Sequence, residues 1–174
     1  MLKTYIKNTI GIVLITAAGF ACKSLGEPHT IKSKDGKSEI TVPANMSESP
    51  SLSKDAQITA ANRSNELYLF VLTNKKSSYG DQTLDEHTDV LRNALLKELT
   101  DADASSAETV TINGREARRY RITGTREGIK LAYFMTVIDS ADDFHHIWSW
   151  TEGSRAAENG PILYQIADSF RLTQ

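Results

Sequence analysis

Residues 67–72 read Leu-Tyr-Leu-Phe-Val-Leu, six consecutive apolar side chains without a charge, a proline or a glycine. Side chains alternate between the two faces of a β-strand, so apolar residues at every position predict a strand that is buried on both faces. Such a strand belongs in the centre of a sheet with helices packed on both sides. The stretch therefore predicts a layered α+β domain and requires two helices elsewhere in the chain.

Two segments have the periodicity of amphipathic helices. Residues 84–99 follow Thr83, which forms a capping-box pattern with Glu86. A mainly apolar stripe recurs through this segment at helical spacing: Leu84, Thr88, Leu91, Leu95 and Leu99. The second predicted helix covers residues 161–169 and begins at Pro161, because proline is favoured in the first helical turn.

The region between the two helices has the pattern of antiparallel hairpins. Asn113-Gly114, a favoured two-residue hairpin turn, joins the predicted strands 109–112 and 117–123. Residues 124–128 predict a further turn, after which a strand follows at 129–138. The remaining predicted strands are 40–42, 56–60 and 144–151. We therefore predict an α+β fold in which an antiparallel β-sheet is flanked by helices, an α/β/α sandwich.

The first 21 residues have the pattern of an export signal. Lys3 and Lys7 precede an uncharged, largely apolar run that is shorter than the roughly 20 residues a membrane-spanning helix needs. Gly19-Phe20-Ala21-Cys22 resembles the lipobox of bacterial lipoproteins, although those proteins usually have leucine at the position of Gly19. That resemblance implies cleavage before Cys22 and attachment of lipid to its sulfur.

Three other interpretations of this segment remain open: ordinary secretory cleavage with Cys22 as a bystander, an uncleaved signal anchor, and a buried structural cysteine. A lipid on Cys22 would hold the protein at a membrane of the bacterial cell envelope. In some lipoproteins an aspartate directly after the lipidated cysteine retains the protein in the inner membrane. This chain has Lys23 at that position, so we predict the outer membrane, facing the periplasm. We predict that residues 22–37 form a polar tether and that residues 38–174 form one domain.

The overall charge limits the classes of partner. The chain has 20 Lys and Arg, 22 Asp and Glu, and a formal net charge of −2. Both basic residues of the predicted signal are lysines, so the remaining chain is more acidic still. This balance does not attract nucleic acid, and we predict no nucleic-acid partner. Cys22 is the only cysteine, so no disulfide forms within the chain.

The order of these patterns resembles the PsbP-like superfamily, which includes the PsbP proteins of photosystem II, bacterial DcrB-like lipoproteins and a eukaryotic Ran-binding protein. The resemblance runs from about Ser38 to Phe170 and rests on several short features: Val42-Pro43, the strand 67–72, the helix 83–99, Asn113-Gly114 followed by Ala117, a long strand through Tyr133, and Ser169-Phe170. It implies the α/β/α sandwich and a non-enzymatic binding or assembly role. It transfers no ligand residues, and we predict no cofactor.

A group of arginines gives the first candidate site. It comprises Arg118, Arg119, Arg121 and Arg126, all near one predicted hairpin. One interpretation is a solvated sheet edge whose charges deter aggregation. The other is a contact patch for an anionic partner, namely an acidic envelope protein, a phosphorylated glycan or a lipid headgroup.

Aromatic residues give the second candidate site. Trp148, Trp150 and Phe144 share one face of a predicted strand, and Tyr133 and Phe134 lie on the strand before it. Such side chains can line a pocket for a sugar or a peptide. They can equally form core beneath a helix, because buried aromatic side chains contribute strongly to the stability of a small domain.

Histidines and aspartates near the same strand suggest metal sites, which we weigh against simpler interpretations. His146 could pair with the distant His87, but the spacing matches no known metal motif, and a polar residue in an aromatic row is the simpler explanation. Asp139, Asp142 and Asp143 lack the ligand pattern of an EF-hand and predict a solvated turn. We predict no metal site.

No catalytic motif is present in the sequence, which contains no nucleophile elbow, metalloprotease helix or P-loop. We assign no catalytic residue, although a dispersed active site leaves no sequence signature. The leading hypothesis is a lipid-anchored envelope protein that binds or helps to assemble an envelope component. The alternative is an envelope hydrolase with a dispersed active site.

Overall fold

The computed structural model of the protein describes residues 26–173. In chain order these residues form β1 (His29–Lys32), β2 (Ser38–Val42), β3 (Ser47–Glu48), β4 (Ile58–Asn62), β5 (Leu67–Lys75), α1 (Leu84–Glu98), β6 (Thr100–Ala104), β7 (Glu108–Ile112), β8 (Arg115–Arg126), β9 (Ile129–Asp139), β10 (Asp143–Glu152), α2 (Ala156–Asp168) and β11 (Arg171–Leu172). Short 3-10 turns lie at residues 50–52, 63–65, 76–78 and 153–155.

The strands of the described residues form two antiparallel sheets. The large sheet has the order β3-β4-β5-β10-β9-β8-β6, and β7 pairs with β8 outside that path. The small sheet has the order β1-β2-β11. As predicted, β5 lies inside the large sheet, where it pairs with β4 on one side and with β10 on the other.

The helices cover opposite faces of the large sheet. Helix α2 packs on β9, β10 and β2, where Phe134, Ile147, Leu163 and Phe170 belong to one buried cluster. Helix α1 packs on β6, β8 and β9, over a second buried cluster that includes Tyr120, Ile122, Met135, Val137 and Leu95. The predicted α+β sandwich is therefore confirmed.

Two local predictions are confirmed at the level of hydrogen bonds. Thr83 caps α1: its backbone N–H donates to the Glu86 carboxylate at 2.9 Å, and the Glu86 N–H donates to Thr83 Oγ1 at 3.2 Å. Asn113 and Gly114 have φ of 47° and 78° and form the two-residue turn between β7 and β8. Both positive φ values are what this hairpin turn requires.

The predicted turn at residues 124–128 is wrong, because β8 continues to Arg126 and the turn is the dipeptide Glu127-Gly128. Gly124 lies inside the strand because the end of α1 crosses close to it. A Cβ atom at position 124 would lie 2.8 Å from the Leu99 Cβ. The glycine therefore allows close packing and does not end the strand.

The predicted start of the second helix is also wrong. Helix α2 begins at Ala156, so Pro161 lies within the helix and not in its first turn. Asn159 and Gly160 are poor helix formers, which obscured this first part of the helix. Asn159 is retained by tertiary contacts, because its side-chain amide donates to the Asn65 carbonyl at 2.8 Å and to Thr151 Oγ1 at 2.7 Å.

The folded region begins before the predicted boundary at Ser38. Residues His29–Lys32, placed in the tether by their polar composition, pair with β2, and Ile31 lies opposite Ile40. Ile31 is 4% exposed. A single buried residue gives no periodicity, so only its pairing with a distant strand identifies β1.

Candidate ligand-binding hollow

The face of the sheet that carries α1 is only partly covered by that helix. Tyr68, Phe70 and Leu72 on β5 point to this face and are half-buried, whereas Leu69 and Val71 on the opposite face are fully buried. The prediction that both faces of β5 are buried is thus correct for one face only. Since α1 lies over β6, β8 and β9, it leaves a concave surface above β5 and β10.

This concave surface, which we call the aromatic hollow, has a volume of about 520 Å³. Its floor consists of Phe70, Leu131, Tyr133, Trp148 and Trp150; its walls are Leu52 and the α1 residues Leu91, Ala94 and Leu95; and the charged residues that line it are Glu98 and Arg126. A mainly apolar cavity of this size, with a few polar groups, is typical of small-molecule sites.

Strand register builds the aromatic floor. Trp148 lies opposite Phe70, and Trp150 lies opposite Tyr68, across the β5 and β10 pair. The Trp150 ring stacks on Tyr68 with centroids 5.4 Å apart and meets Phe70 edge-on at 5.8 Å. Such contacts hold Trp150 in place before any ligand binds.

These positions decide between the two interpretations of the aromatic row. Trp148 and Trp150 are half-buried and line the hollow, whereas Phe144 is 1% exposed and Phe134 is buried beneath α2. The row is therefore core at Phe144 and cavity surface at the two tryptophans. Sequence reasoning did not identify Leu52, Ala94 or Glu98 as site residues. It placed Leu91 in the predicted helical stripe and Leu131 in a predicted strand, without a binding role.

The four candidate arginines do not form one patch. Alternation along β8 places Arg118 on the α1 face, where it pairs with Asp85 and with Glu116 at 2.7 Å. Arg119 lies on the α2 face, is 6% exposed, and pairs with Asp168. Its guanidinium also lies 4.4 Å from the centre of the Tyr164 ring. Both arginines are engaged within the fold, so the predicted joint patch is corrected.

The other two arginines are exposed and lie on different faces of β8. Arg121 lines a separate hollow of about 320 Å³ together with Lys130. Arg126 lines the aromatic hollow. Within residues 26–173, neither side chain takes part in an ion pair. The residue of the four that adjoins the aromatic site is therefore Arg126.

His87 and His146 are brought together between α1 and β10. Their Nε2 atoms lie 2.8 Å apart, and each residue is 1% exposed. Gln82 Oε1 lies 3.1 Å from His87 Nδ1, so that nitrogen donates its proton to the amide, and His87 Nε2 accepts the proton of His146. Burial lowers the pKa of His146 to about 3 and also lowers the pKa of His87.

The histidine pair is a polar contact within the α1-side core. The His87 ring stacks on Phe144 with centroids 4.3 Å apart.

No group of three or more metal-binding side chains occurs among residues 26–173. In the predicted acidic turn, Asp139 pairs with Lys76 at 2.5 Å and Asp143 with Lys75 at 3.0 Å.

A serine close to a histidine bears on the hydrolase alternative. His145 Nε2 lies 3.2 Å from Ser140 Oγ, and both residues are buried. The Ser140 hydroxyl, however, donates its proton to the Asp143 carbonyl at 2.8 Å and accepts from the Asp143 N–H at 3.2 Å. An activated serine donates to the imidazole instead, so this arrangement stabilises the turn between β9 and β10.

The predicted export signal and Cys22 lie outside the described residues. Within residues 26–173, no helix has the length and apolar character needed to cross a membrane.

No family model and no curated protein matches the chain. Among solved structures, cyanobacterial PsbP (CyanoP) from Synechocystis sp. PCC 6803 is similar with a TM-score of 0.59 and 15% identity, covering 88% of this chain and 98% of that one. LpqN, involved in cell envelope biogenesis of Mycobacterium tuberculosis, has a TM-score of 0.58 and 13% identity, covering 85% and 91%. The Saccharomyces cerevisiae Ran-binding protein Mog1p has a TM-score of 0.59 and 12% identity, covering 84% and 95%.

These similarities extend over nearly the whole of each compared protein. They confirm that the chain has the PsbP-like α+β fold. At this level of identity they show the fold alone, so the functional conclusion must come from the residues of the site.

Proposed function

We propose that this protein is a lipid-anchored protein of the bacterial cell envelope that binds an apolar or amphiphilic ligand in the aromatic hollow, without converting it chemically. The observation that carries the proposal is the half-buried pair Trp148 and Trp150 on the floor of a cavity of about 520 Å³. Large apolar side chains that stay uncovered in a concave surface favour binding, because an apolar ligand that covers them removes apolar surface from water.

The construction of the hollow favours binding over catalysis. Its floor and walls are aliphatic or aromatic, and its charged residues, Glu98 and Arg126, are both exposed. A general acid or base usually has a pKa that burial or neighbouring charges have moved towards neutrality. The two closely paired histidines lie in a buried core contact, outside the residues that line the hollow.

An envelope location is supported by the predicted signal and lipobox at Cys22 and by the similarity to LpqN, a protein involved in cell envelope biogenesis. Since β1 begins at His29, six residues, 23–28, separate the predicted lipid on Cys22 from the first strand, which makes seven residue-to-residue steps. At about 3.5 Å per residue, a chain of this length spans at most about 25 Å. The folded domain that carries the hollow would thus remain close to the membrane, where amphiphiles are concentrated.

The two tryptophans make the proposal directly testable, because they are the only ones in the chain and both line the hollow. A brominated fatty acid bound there should quench most of the intrinsic tryptophan fluorescence, since heavy atoms quench on contact. Ala94→Phe fills the hollow from α1 and should weaken this binding by at least about tenfold, equivalent to about 1.4 kcal/mol. Fluorescence titration of the purified protein measures both effects.

Ala157→Phe is the matched control for this experiment. Ala157 is exposed on α2, on the other side of the sheet, so the same substitution should leave quenching unchanged. Equal titration curves for Ala94→Phe and the unmodified protein would show that the fatty acid does not enter the hollow, and would remove the basis of the proposal.

The anchor has an independent test. Expressed in a bacterium, the wild-type protein should incorporate labelled palmitate and sediment with membranes. Cys22→Ala should do neither, because the thioether bond to lipid needs the cysteine sulfur. A Cys22→Ala variant that still carries palmitate would contradict lipidation at this residue. Membrane fractionation without labelling of either protein would indicate an uncleaved signal anchor instead.

A further inference from the structure

We infer that the aromatic hollow selects an amphiphile with an anionic head group, and that Arg126 binds that head group while the apolar chain covers Trp148 and Trp150. This inference rests on the proposed function and adds to it the chemical class of the ligand. Two observations carry it, namely the surplus of unpaired donors in the hollow and the exposed, unpaired state of Arg126, and Glu98 allows a test in which the opposite effect is expected.

The polar groups of the aromatic hollow are mostly hydrogen-bond donors. Arg126 and the indole N–H groups of Trp148 and Trp150 can only donate, and the Tyr133 hydroxyl can do both. Among residues 26–173, none of these four side chains has a hydrogen-bond partner, although all four line the hollow. The side chain of Glu98 is the one acceptor-only group in the lining. A ligand rich in acceptors complements this arrangement better than a sugar, whose hydroxyls need acceptors as well.

Arg126 is available to a ligand, as Arg118 and Arg119 on the same strand are not. Arg118 and Arg119 are each held by carboxylates within the fold, whereas Arg126 is exposed and makes no ion pair with a described residue. A guanidinium can bind a carboxylate or a phosphate through two parallel N–H donors. Arg126 therefore supplies the charge-assisted contact, and the apolar floor lies beside it.

Glu98 allows a second test of the inference, in which removal of a charge should strengthen binding. It is the last residue of α1, it lines the same hollow, and within residues 26–173 it forms no ion pair with Arg126 or any other cation. An anionic head group is attracted by Arg126 and repelled by Glu98. Removal of each charge should therefore change the affinity in opposite directions.

The experiment compares decanoate with 1-decanol, which have the same chain length and differ in the charge of the head group, at pH 8, where decanoate is ionised. Trp fluorescence and calorimetry measure both affinities. Decanoate should bind the unmodified protein more tightly than 1-decanol does. Arg126→Gln should weaken decanoate binding about fivefold, the range of a partly exposed ion pair, and Glu98→Gln should strengthen it about twofold. Neither variant should change binding of 1-decanol.

Arg121→Gln is the matched control, because Arg121 is an exposed arginine on the same strand but lines a different hollow. It removes the same charge and should leave decanoate binding unchanged. Raising the salt concentration should reduce the advantage of decanoate over 1-decanol, since salt screens an exposed ion pair.

The outcomes separate this inference from the proposed function. Equal affinities for decanoate and 1-decanol, unaffected by Arg126→Gln, would overturn the anionic selectivity and leave apolar binding intact. Tighter binding of decylammonium than of decanoate would reverse the sign of the head group and also overturn it. If neither decanoate nor 1-decanol binds the unmodified protein, the proposed function fails and the inference fails with it.

Discussion

Replacing Phe170 by alanine is expected to lower the free energy of unfolding by about 3–5 kcal/mol, because the substitution leaves a cavity in a closely packed core. Phe170 is 1% exposed and belongs to the buried cluster beneath α2. Its ring centroid lies 5.1 Å from that of His145. His145 is itself buried, so its ring cannot move far into the cavity that the substitution leaves. Urea denaturation measures the change as a lower midpoint at an unchanged slope.

Phe70→Ala is the matched comparison. Phe70 is half-buried on the floor of the aromatic hollow, so the same truncation should cost about 1 kcal/mol of stability. It should nevertheless weaken ligand binding, whereas folded Phe170→Ala should bind as the unmodified protein does. Similar losses of stability for the two variants would show that Phe70 is covered, and would contradict an accessible hollow.

Acidification is expected to destabilise the protein between about pH 6.5 and pH 3, and the buried histidines are the main cause in the upper part of that range. Burial lowers the pKa of His146 to about 3 and the pKa of His145 to about 4. In the unfolded chain both titrate near pH 6.5, so the unfolded state binds more protons as the pH falls. The contribution of the two neutral histidines to the free energy of unfolding is thus fully present above pH 6.5 and is lost progressively as the pH falls below that value. Each histidine kept neutral in the folded state costs about 2 kcal/mol at pH 5.

The double variant His87→Gln/His146→Gln tests this prediction. It removes the pair whose Nε2 atoms lie 2.8 Å apart and replaces it with side chains that do not titrate. Its absolute stability at pH 8 should be lower, but its loss between pH 7.5 and pH 5 should be smaller by at least about 2 kcal/mol. Urea denaturation at a series of pH values gives both quantities.

His29→Gln is the control for the pH series, because His29 is exposed at the start of β1. Its pH profile should superimpose on that of the unmodified protein. A double variant with an equally steep profile would place the acid sensitivity in other groups. His145, which the double variant retains and whose pKa burial also lowers, would then be the main remaining cause.

Local signals in the sequence identified the elements with strong local causes. The Thr83 and Glu86 capping box located the start of α1, and Asn113-Gly114 located the turn before β8. These features depend on hydrogen bonds and backbone angles within a few residues, so the sequence contains them directly. Among the elements it missed, β1 and the first part of α2 are stabilised by distant partners such as Ile40, Asn65 and Thr151.

The candidate site was predictable only in part, for the same reason. Alternation placed Trp148 and Trp150 on one face of a strand but could not say whether α1 covers that face. Likewise, the arginines were visible in the sequence, whereas the carboxylates that bind two of them lie 33 residues away at Asp85 and 49 residues away at Asp168. No local pattern encodes such pairings.

The sequence by itself determined the class of fold and the two faces of the strands that it located, since both depend on short-range patterns of apolarity and turn residues, and the lipid anchor at Cys22 stays a prediction from such a pattern. Only the tertiary structure decided that α1 rests on β6, β8 and β9 and leaves β5 and β10 partly uncovered. The packing of elements far apart in the chain determines which apolar surface is buried. That packing, and not the composition of the strands, leaves Phe70, Trp148 and Trp150 as the floor of a ligand-binding hollow.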